Sequence, residues 1–317
     1  MPAISADDRK IIDRIGLDNL RRVERGVRRR NFGIAMIFMA PAALLTSVVL
    51  LLPILFNVYL SFTRWQKFKG LNEWGGFKNY QTLLDHPQFA LATWSTVVWV
   101  TASLVIPVAL GLALALALRG IPFENTFKNI IFLPRVLAPT SIGVIWFYVY
   151  APHGVLNSGL SFVAGQPVDI GWLYQADTIM PAIIATYVWQ NVGLVMVLLL
   201  LGLAAIPTDP IEAARMDGAS SRQLFQYIVF PLLTPTLLVV SMLSILAGFG
   251  AFDLLWIMGI SYPGQRTLSL SVYMYFEGFG KGSWAYAAAV AVFLGGISIL
   301  VTWMQAYLQA RAEQLRK

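Results

Sequence analysis

The chain has 317 residues, of which 57% are hydrophobic and 12% are charged, with a formal net charge of +7. An ordinary globular domain carries about twice this charged fraction, so the composition favours a membrane protein over a soluble enzyme or binding domain. Cysteine is absent, which excludes disulfides, thiolate zinc sites and iron–sulfur clusters. Because the basic residues cluster in a few segments, the positive charge does not indicate nucleic-acid binding.

Residues 1–32 form a basic segment that we expect in the cytoplasm. Residues 5–30 predict an amphipathic helix, with Leu20, Val23 and Val27 on one stripe among arginines. Such a helix could rest on anionic membrane lipid, or it could only set the orientation of the first span. The apolar run that follows does not resemble a cleaved signal peptide, because the polar segment before it is too long.

Six apolar segments are long enough to cross a bilayer, whose hydrocarbon core of about 30 Å takes roughly 20 helical residues. The prediction is an all-α integral membrane fold, with a transmembrane domain over 33–310 and a cytoplasmic tail over 311–317. The predicted spans are 33–62, 93–118, 127–150, 179–206, 232–260 and 283–308.

Lysine and arginine divide unequally between the two sides that six spans create. Sixteen fall on the side of the termini and six on the other, so both termini are predicted in the cytoplasm. The remaining cation, Arg135, falls in the third predicted span near its cytoplasmic end, where a long side chain could reach the membrane surface.

The loop over 206–231 has more structure than a simple connector. It predicts a short helix with Asp209 as N-cap and Pro210 in the first helical position, and Glu212 completes a capping-box pattern. Gly218 is placed where the chain leaves this helix in a left-handed conformation.

Beyond that glycine, Ser220 or Ser221 is expected to cap a second helix that ends at Pro231. Small Ala213 and Ala214 leave the first helix slim enough to enter a groove on a partner protein. Directional polar contacts there would come from Glu212, Arg215 and Asp217. An ordinary surface hairpin of two helices is the alternative interpretation.

The loop contains one extended pattern, namely Glu212-Ala213-Ala214, Asp217-Gly218-Ala219, and then Phe225, Ile228 and Pro231. This pattern resembles the EAA loop of bacterial ABC importer permeases, and the resemblance extends over most of the chain beyond residue 33. Phe230 departs from the family, which usually has leucine before the proline.

Other segments resemble the carbohydrate importer branch, as in permeases of the maltose and glycerol-phosphate type. They are Ala40-Pro41-Ala42, Leu60-Ser61-Phe62 and Gly76-Phe77-Lys78-Asn79-Tyr80. That branch usually has Gly-Gly-Pro after the fifth span, where this chain has Ser261-Tyr262-Pro263-Gly264 and keeps only the proline. A permease for a non-sugar solute, such as glycerol phosphate or a polyamine, is therefore an alternative.

The resemblance implies a transport subunit of the bacterial inner membrane that is not itself an enzyme. It would form a heterodimer with a second, homologous permease, and each permease would dock one of two cytoplasmic ATPase subunits, here through the coupling loop. An extracytoplasmic binding protein would deliver the solute. No cofactor is expected on this chain, since ATP and Mg would bind to the ATPases.

Three rival classes are disfavoured by the residues. The segment Gly278–Ser283 lacks the spacing of a phosphate-binding loop and is interpreted as a flexible loop. An ion-coupled carrier usually has several carboxylates in its spans, whereas Asp253 is the only clear one here. A membrane enzyme lacks a catalytic constellation, since His86 and His153 fall in predicted loops.

A polar solute needs hydrogen-bonding and aromatic groups inside the bundle. The candidates for the solute pathway are Trp146, Tyr148, Tyr187, Trp189, Gln190, Asn191, Phe249 and Asp253. The alternative is that Gln190 and Asn191 only link helices, and that the aromatic residues near Tyr148 belong to an interfacial belt.

Overall fold

The computed structural model describes residues 17–67, 69–259 and 267–314, with the backbone alone for 17–26, 28–30 and 312–314. The chain divides into two compact units, Met1–Tyr59 and Leu60–Lys317. Outside the described residues lie the first part of the predicted N-terminal amphipathic helix, the last residue of the fifth predicted span, the segment that replaces Gly-Gly-Pro, and the end of the tail.

The first unit contains most of the first span. Helix α1 (Leu17–Thr46) continues through a π-helical turn (Ser47–Leu51) into α2 (Leu52–Ser61). Its apolar part, Asn31–Ser61, is long enough to cross a membrane. The basic segment and the first span thus share one helix, with Pro41 accommodated inside it.

The regular secondary structure of the second unit is helical in its described part, apart from isolated bridges in the loop after α2. Its helices are α3 (Lys78–Asp85), α4 (Pro87–Leu118), α5 (Glu124–Phe132), α6 (Pro139–Val149), α7 (Val155–Ala164), α8 (Ile179–Ala204), α9 (Asp209–Met216), α10 (Ser221–Leu224), α11 (Phe230–Phe249), α12 (Asp253–Gly259), α13 (Leu270–Tyr275) and α14 (Trp284–Gln314). Within the described residues, five helical segments are long and apolar enough to span a membrane, and a bent pair makes a sixth.

That bent pair corrects the third predicted span, which was expected to be one helix over 127–150. Helix α5 passes into a 3₁₀ turn (Leu133–Val136), and the chain then bends by 98° into α6. Pro134 lies in the turn and Pro139 opens α6. Proline cannot donate the amide hydrogen bond that a continuous helix needs there, and it restricts the residue before it.

The fifth predicted span, 232–260, is also wrong at both ends. The spanning helix runs from Ser221 to Phe249. Gly250 is its C-cap, and the separate short helix α12 follows. Asp253 is therefore the exposed first residue of α12 rather than a carboxylate within the fifth span.

Helix α8 lies at the centre of the second unit. One end packs into a cluster around Trp99, Ile183 and Leu255, and the other into a cluster around Met196 and Leu233. Helix α4 and the spanning part of α11 supply much of the surrounding surface. The polar side chains of α8 are consequently held inside the bundle.

A third cluster joins α13 to the helices around it. The amide of Leu270 donates to Thr96 Oγ1 (2.8 Å), and the hydroxyls of Tyr273 and Tyr286 lie 2.9 Å apart. Burial, followed by the bond to Tyr286, raises the pKa of the Tyr273 hydroxyl, which keeps it neutral. His86, between α3 and α4, is half-buried and caps α4 by accepting from the amide of Gln88.

The segment predicted as a flexible loop is ordered by an ion pair. Phe276–Gly280 forms a π-helical turn, and Lys281 Nζ lies 2.6 Å from Oε1 of the buried Glu277. The lysine is therefore engaged with a carboxylate.

Candidate coupling loop and polar cavity

The first turn of α9 differs from the predicted cap. Thr208 precedes the helix with a helical backbone (φ −76°, ψ −32°) and makes no side-chain cap bond. A capping side chain needs an extended backbone to reach back to the helix amides. Asp209 lies inside the first turn, so its predicted capping box with Glu212 is wrong; the amide of Glu212 donates to the Thr208 carbonyl instead (2.9 Å).

The end of α9 is a left-handed turn, as the sequence predicts. Gly218 has φ +80°, its amide donates to the carbonyl of Arg215, and the amide of Ala219 donates to that of Ala214, both at 3.0 Å. These two bonds are the Schellman pattern, which satisfies carbonyls that the helix end would leave unpaired. The spacing between the Glu-Ala-Ala and Asp-Gly-Ala groups thus lets the hydrogen bonds of this turn join the second group to the end of α9.

The predicted cap of the second helix is confirmed at Ser220. Its side chain accepts from the Gln223 amide, while the Gln223 side chain accepts from the Ser220 amide. This helix does not end at Pro231, however, but continues through a π-helical turn (Phe225–Val229) into α11. The widened turn directly before the proline accommodates a residue that has no amide hydrogen.

The loop presents a polar surface and is anchored by an apolar one. Ile206 and Leu224 are buried, and Ile211 packs against the cluster around Met196. The predicted partner-contacting residues Glu212, Ala213, Arg215, Asp217 and Gly218 are exposed, and Ala214 and Ala219 are half-buried. Met216, which the sequence analysis did not single out, is 88% exposed. The sequence feature that could have identified it is an apolar residue directly before Asp-Gly.

Two of the predicted pathway residues, Tyr187 and Asn191, line a cavity of about 180 Å³ between α4, α8, α11 and the 3₁₀ turn. Both are buried, and the Asn191 amide nitrogen donates to the Tyr187 carbonyl (2.9 Å). Ser103, Ser244 and Arg135 join them in the lining. The sequence analysis did not include these three residues among the candidates for the solute pathway. For Arg135, a cation inside a predicted span was the feature that could have indicated it.

The other α8 candidates have different surroundings. Gln190 donates to the carbonyl of Leu137 (3.3 Å) across the break of the third span, as the helix-linking interpretation predicts. Trp189 is 39% exposed and packs edge-on against Trp146, with ring centroids 5.4 Å apart.

The three remaining candidates do not line this cavity. Tyr148 is 69% exposed and contacts Phe147 edge-on. Phe249 is half-buried at the end of α11, and Asp253 lies beyond the break that follows it. The structure therefore separates the candidates into a buried polar group, an aromatic pair and a group at the α11–α12 break, with Tyr148 apart from all three on the surface of α6.

Family similarity agrees with the spanning helices and the loop. Residues 107–314, from the middle of α4 to the end of α14, match the family described as binding-protein-dependent transport system inner membrane component. The chain belongs to this family. It is a permease subunit of an ABC importer, and its coupling loop lies within the matched region.

Two relatives match most of the permease. The probable starch degradation products transport system permease of Thermoanaerobacterium thermosulfurigenes is 30% identical, over 87% of this chain and 94% of that protein. The sulfoquinovosyl glycerol transport system permease of Agrobacterium fabrum is 31% identical, over 85% of this chain and 88% of that protein.

The fold of the permease also matches a solved structure. A chain of a bacterial ABC transporter involved in the import of the acidic polysaccharide alginate superimposes with a TM-score of 0.79 at 20% identity. The match covers 92% of this chain and 99% of that one. The all-helical permease fold predicted from the sequence is confirmed.

Proposed function

We propose that the permease forms half of the translocation pathway for a sugar or sugar derivative and couples it, through α9, to a separate cytoplasmic ATPase. The observation that carries the proposal is the construction of the loop. An exposed helix ends in a fixed left-handed turn, and the next helix is capped by Ser220 and continues into the spanning helix α11. Movement of α9 by a docked partner would therefore be transmitted into the membrane.

The solute class is proposed from the relatives and from the resemblance of the first half of the chain to carbohydrate permeases. The names of both relatives refer to carbohydrate-related solutes. Aromatic faces such as the Trp146–Trp189 pair pack well against sugar C–H groups. Glycerol phosphate and polyamines are the competing solutes, and a ligand screen on the cognate binding protein distinguishes them.

The assembly is proposed to contain a second, homologous permease, two ATPase subunits and an extracytoplasmic binding protein. ATP and Mg would bind to the ATPases. In the glycine-rich segment of this chain, Lys281 pairs with Glu277. The excess of lysine and arginine on the side of the termini supports a cytoplasmic location for both.

The absence of cysteine permits a direct test of the loop. Met216→Cys places a single thiol on the exposed face of α9, and Phe162→Cys places the matched control on α7, where Phe162 is 90% exposed. In the assembled transporter, a short thiol–amine cross-linker should join Met216→Cys to the ATPase, and the control variant should form no cross-link to the ATPase. In intact cells, a membrane-impermeant maleimide should label only the control.

Two results would contradict the proposal in different ways. Labelling of Met216→Cys from outside the cell would place the loop on the wrong side for an ATPase. A complex that copurifies with its ATPase but gives no cross-link through residue 216 would place the docking surface elsewhere.

A further inference from the structure

The break in the third span places Arg135 beside the middle of α8. Arg135 lies in the 3₁₀ turn and lines the same cavity as Tyr187 and Asn191. The sequence analysis expected this side chain near the cytoplasmic end of a straight helix, whereas the structure has it in a turn directly before a 98° bend. Arg135 is exposed in the single chain, so that its guanidinium is accessible at the edge of this cavity. A charge within a membrane-spanning segment is costly, and such residues usually face a cavity or a partner of opposite charge.

No protein carboxylate neutralises this charge among the residues that the structure describes. The ion pairs found there join Lys128 to Glu124 and Lys281 to Glu277. The lining of the cavity is composed of hydroxyl, amide and apolar side chains in addition to Arg135. The polar groups that line the cavity with Arg135 are therefore neutral, and Arg135 contributes the positive charge of the lining.

The turn that holds Arg135 is fixed on both sides. Pro134 is buried, and the carbonyl of Leu137 accepts the hydrogen bond from Gln190. On α8, Gly193 allows the backbone of Ile131 and Phe132 to approach closely. These contacts hold the turn against α8 without using the guanidinium, whose donors are available to a ligand.

We propose that Arg135 binds an acidic group of the transported solute, so that the permease selects an anionic sugar derivative bearing a carboxylate, sulfonate or phosphate. This inference rests on the proposed function and specifies its substrate class. Guanidinium binds planar and tetrahedral oxyanions through paired hydrogen bonds. Tyr187, Asn191 and the serines lie in position to bind neighbouring hydroxyls.

The size of the cavity is consistent with a partial site. Its volume of about 180 Å³ is below the roughly 300–1,000 Å³ of complete ligand pockets. Within this chain it accommodates the acidic end of a solute, and the rest of the solute would occupy space shared with the second permease.

The test uses the complete transporter in proteoliposomes with its cognate binding protein. Uptake is measured for a panel of neutral hexoses and maltose, and for glucuronate, glucose 6-phosphate and 6-sulfo sugars. The variants are Arg135→Gln and Arg135→Lys, with Arg119→Gln as the control, because Arg119 is exposed after α4 and does not line the cavity. Assembly and ATPase stimulation by loaded binding protein are measured in parallel.

We expect the wild type to take up an acidic sugar of the panel. The rate of this uptake should fall roughly 10- to 100-fold in Arg135→Gln and recover partly in Arg135→Lys. Stimulated ATPase activity should persist in both. Uptake of neutral sugars alone, or wild-type uptake by Arg135→Gln, would overturn the inference and leave the carbohydrate proposal intact. Loss of assembly in Arg135→Gln but not in Arg135→Lys would show a lipid-anchoring or structural charge instead. If the wild type takes up none of the sugars in the panel, the carbohydrate proposal itself is overturned, and the inference with it.

Discussion

Gly218 in the coupling loop and Gly193 in α8 suit their positions for opposite structural reasons. Gly218 has φ +80°, and a Cβ built there would meet nothing within 4 Å. Gly193 has an ordinary helical backbone, and a Cβ there would overlap the carbonyl oxygen of Ile131 and lie 2.7 Å from the Cα of Phe132. One glycine provides a backbone conformation, and the other allows two helices to approach.

The same contrast holds for the hydrogen bonds of the two regions. The loop is closed by bonds between residues three to five positions apart, as from Ala219 to Ala214. The break of the third span is instead joined to α8 by a distant pair, since Gln190 and Leu137 are 53 positions apart. The loop should therefore tolerate changes without loss of the membrane fold, whereas changes at the break of the third span should affect the whole bundle.

The largest effect is expected from Gly193→Ala. The new methyl group overlaps backbone rather than a mobile side chain, and overpacking typically costs about 1–3 kcal/mol or more. The purified complex should show a clearly lower thermal unfolding midpoint and a reduced yield. Gly296→Ala in α14 is the matched control, because a Cβ there meets nothing within 4 Å; equal stability of the two variants would contradict the close approach.

Gly218→Val should leave the membrane fold intact and remove coupling. A left-handed conformation costs an ordinary residue about 1–2 kcal/mol, and a β-branched residue more. The chain should insert normally but lose solute-stimulated ATPase activity or fail to retain the ATPase. Gly218→Asn should preserve most of that activity, since asparagine tolerates this conformation. Normal stimulation in the valine variant would show that the turn is not required.

Glu212→Lys should impair coupling less severely. Glu212 is exposed in the first turn of α9, where the helix dipole favours an acidic side chain by about 0.3–1 kcal/mol. The reversed charge should also weaken docking, so that ATPase stimulation falls while assembly in the membrane persists. Glu212→Gln should be intermediate, and a lysine variant with full stimulation would remove Glu212 from the docking surface.

The smallest and most graded effects are expected along the solute pathway. Asn191→Ala should reduce uptake most, because Asn191 lines the cavity and one hydrogen bond contributes about 0.5–1.5 kcal/mol, or roughly 2- to 10-fold. Trp189→Ala removes the contact with Trp146 and should have a smaller effect. Asp253→Asn, beyond the break, should have the least.

These three variants should assemble and hydrolyse ATP normally. Wild-type uptake by all of them, with saturating loaded binding protein, would place the solute contacts outside this set, mainly on the partner permease.

The sequence by itself determined the features that depend on neighbouring residues or on average hydropathy. The approximate positions of the first, second, fourth and sixth spans follow from apolar runs of bilayer length. The Gly218 turn and the Ser220 cap follow from chemistry within one helical turn. The coupling loop was therefore largely predictable, except that Thr208 replaces Asp209 before α9 and that the second helix continues past Pro231.

The tertiary structure alone decided where the spans break and which polar groups meet. Hydropathy does not distinguish a straight helix from one bent by 98° at Pro139, because membrane helices also accommodate proline when neighbours satisfy the freed carbonyls. The bend is held by Gln190, and it brings Arg135 to Tyr187 and Asn191. Such contacts depend on the packing of residues far apart in the chain, which no local pattern specifies.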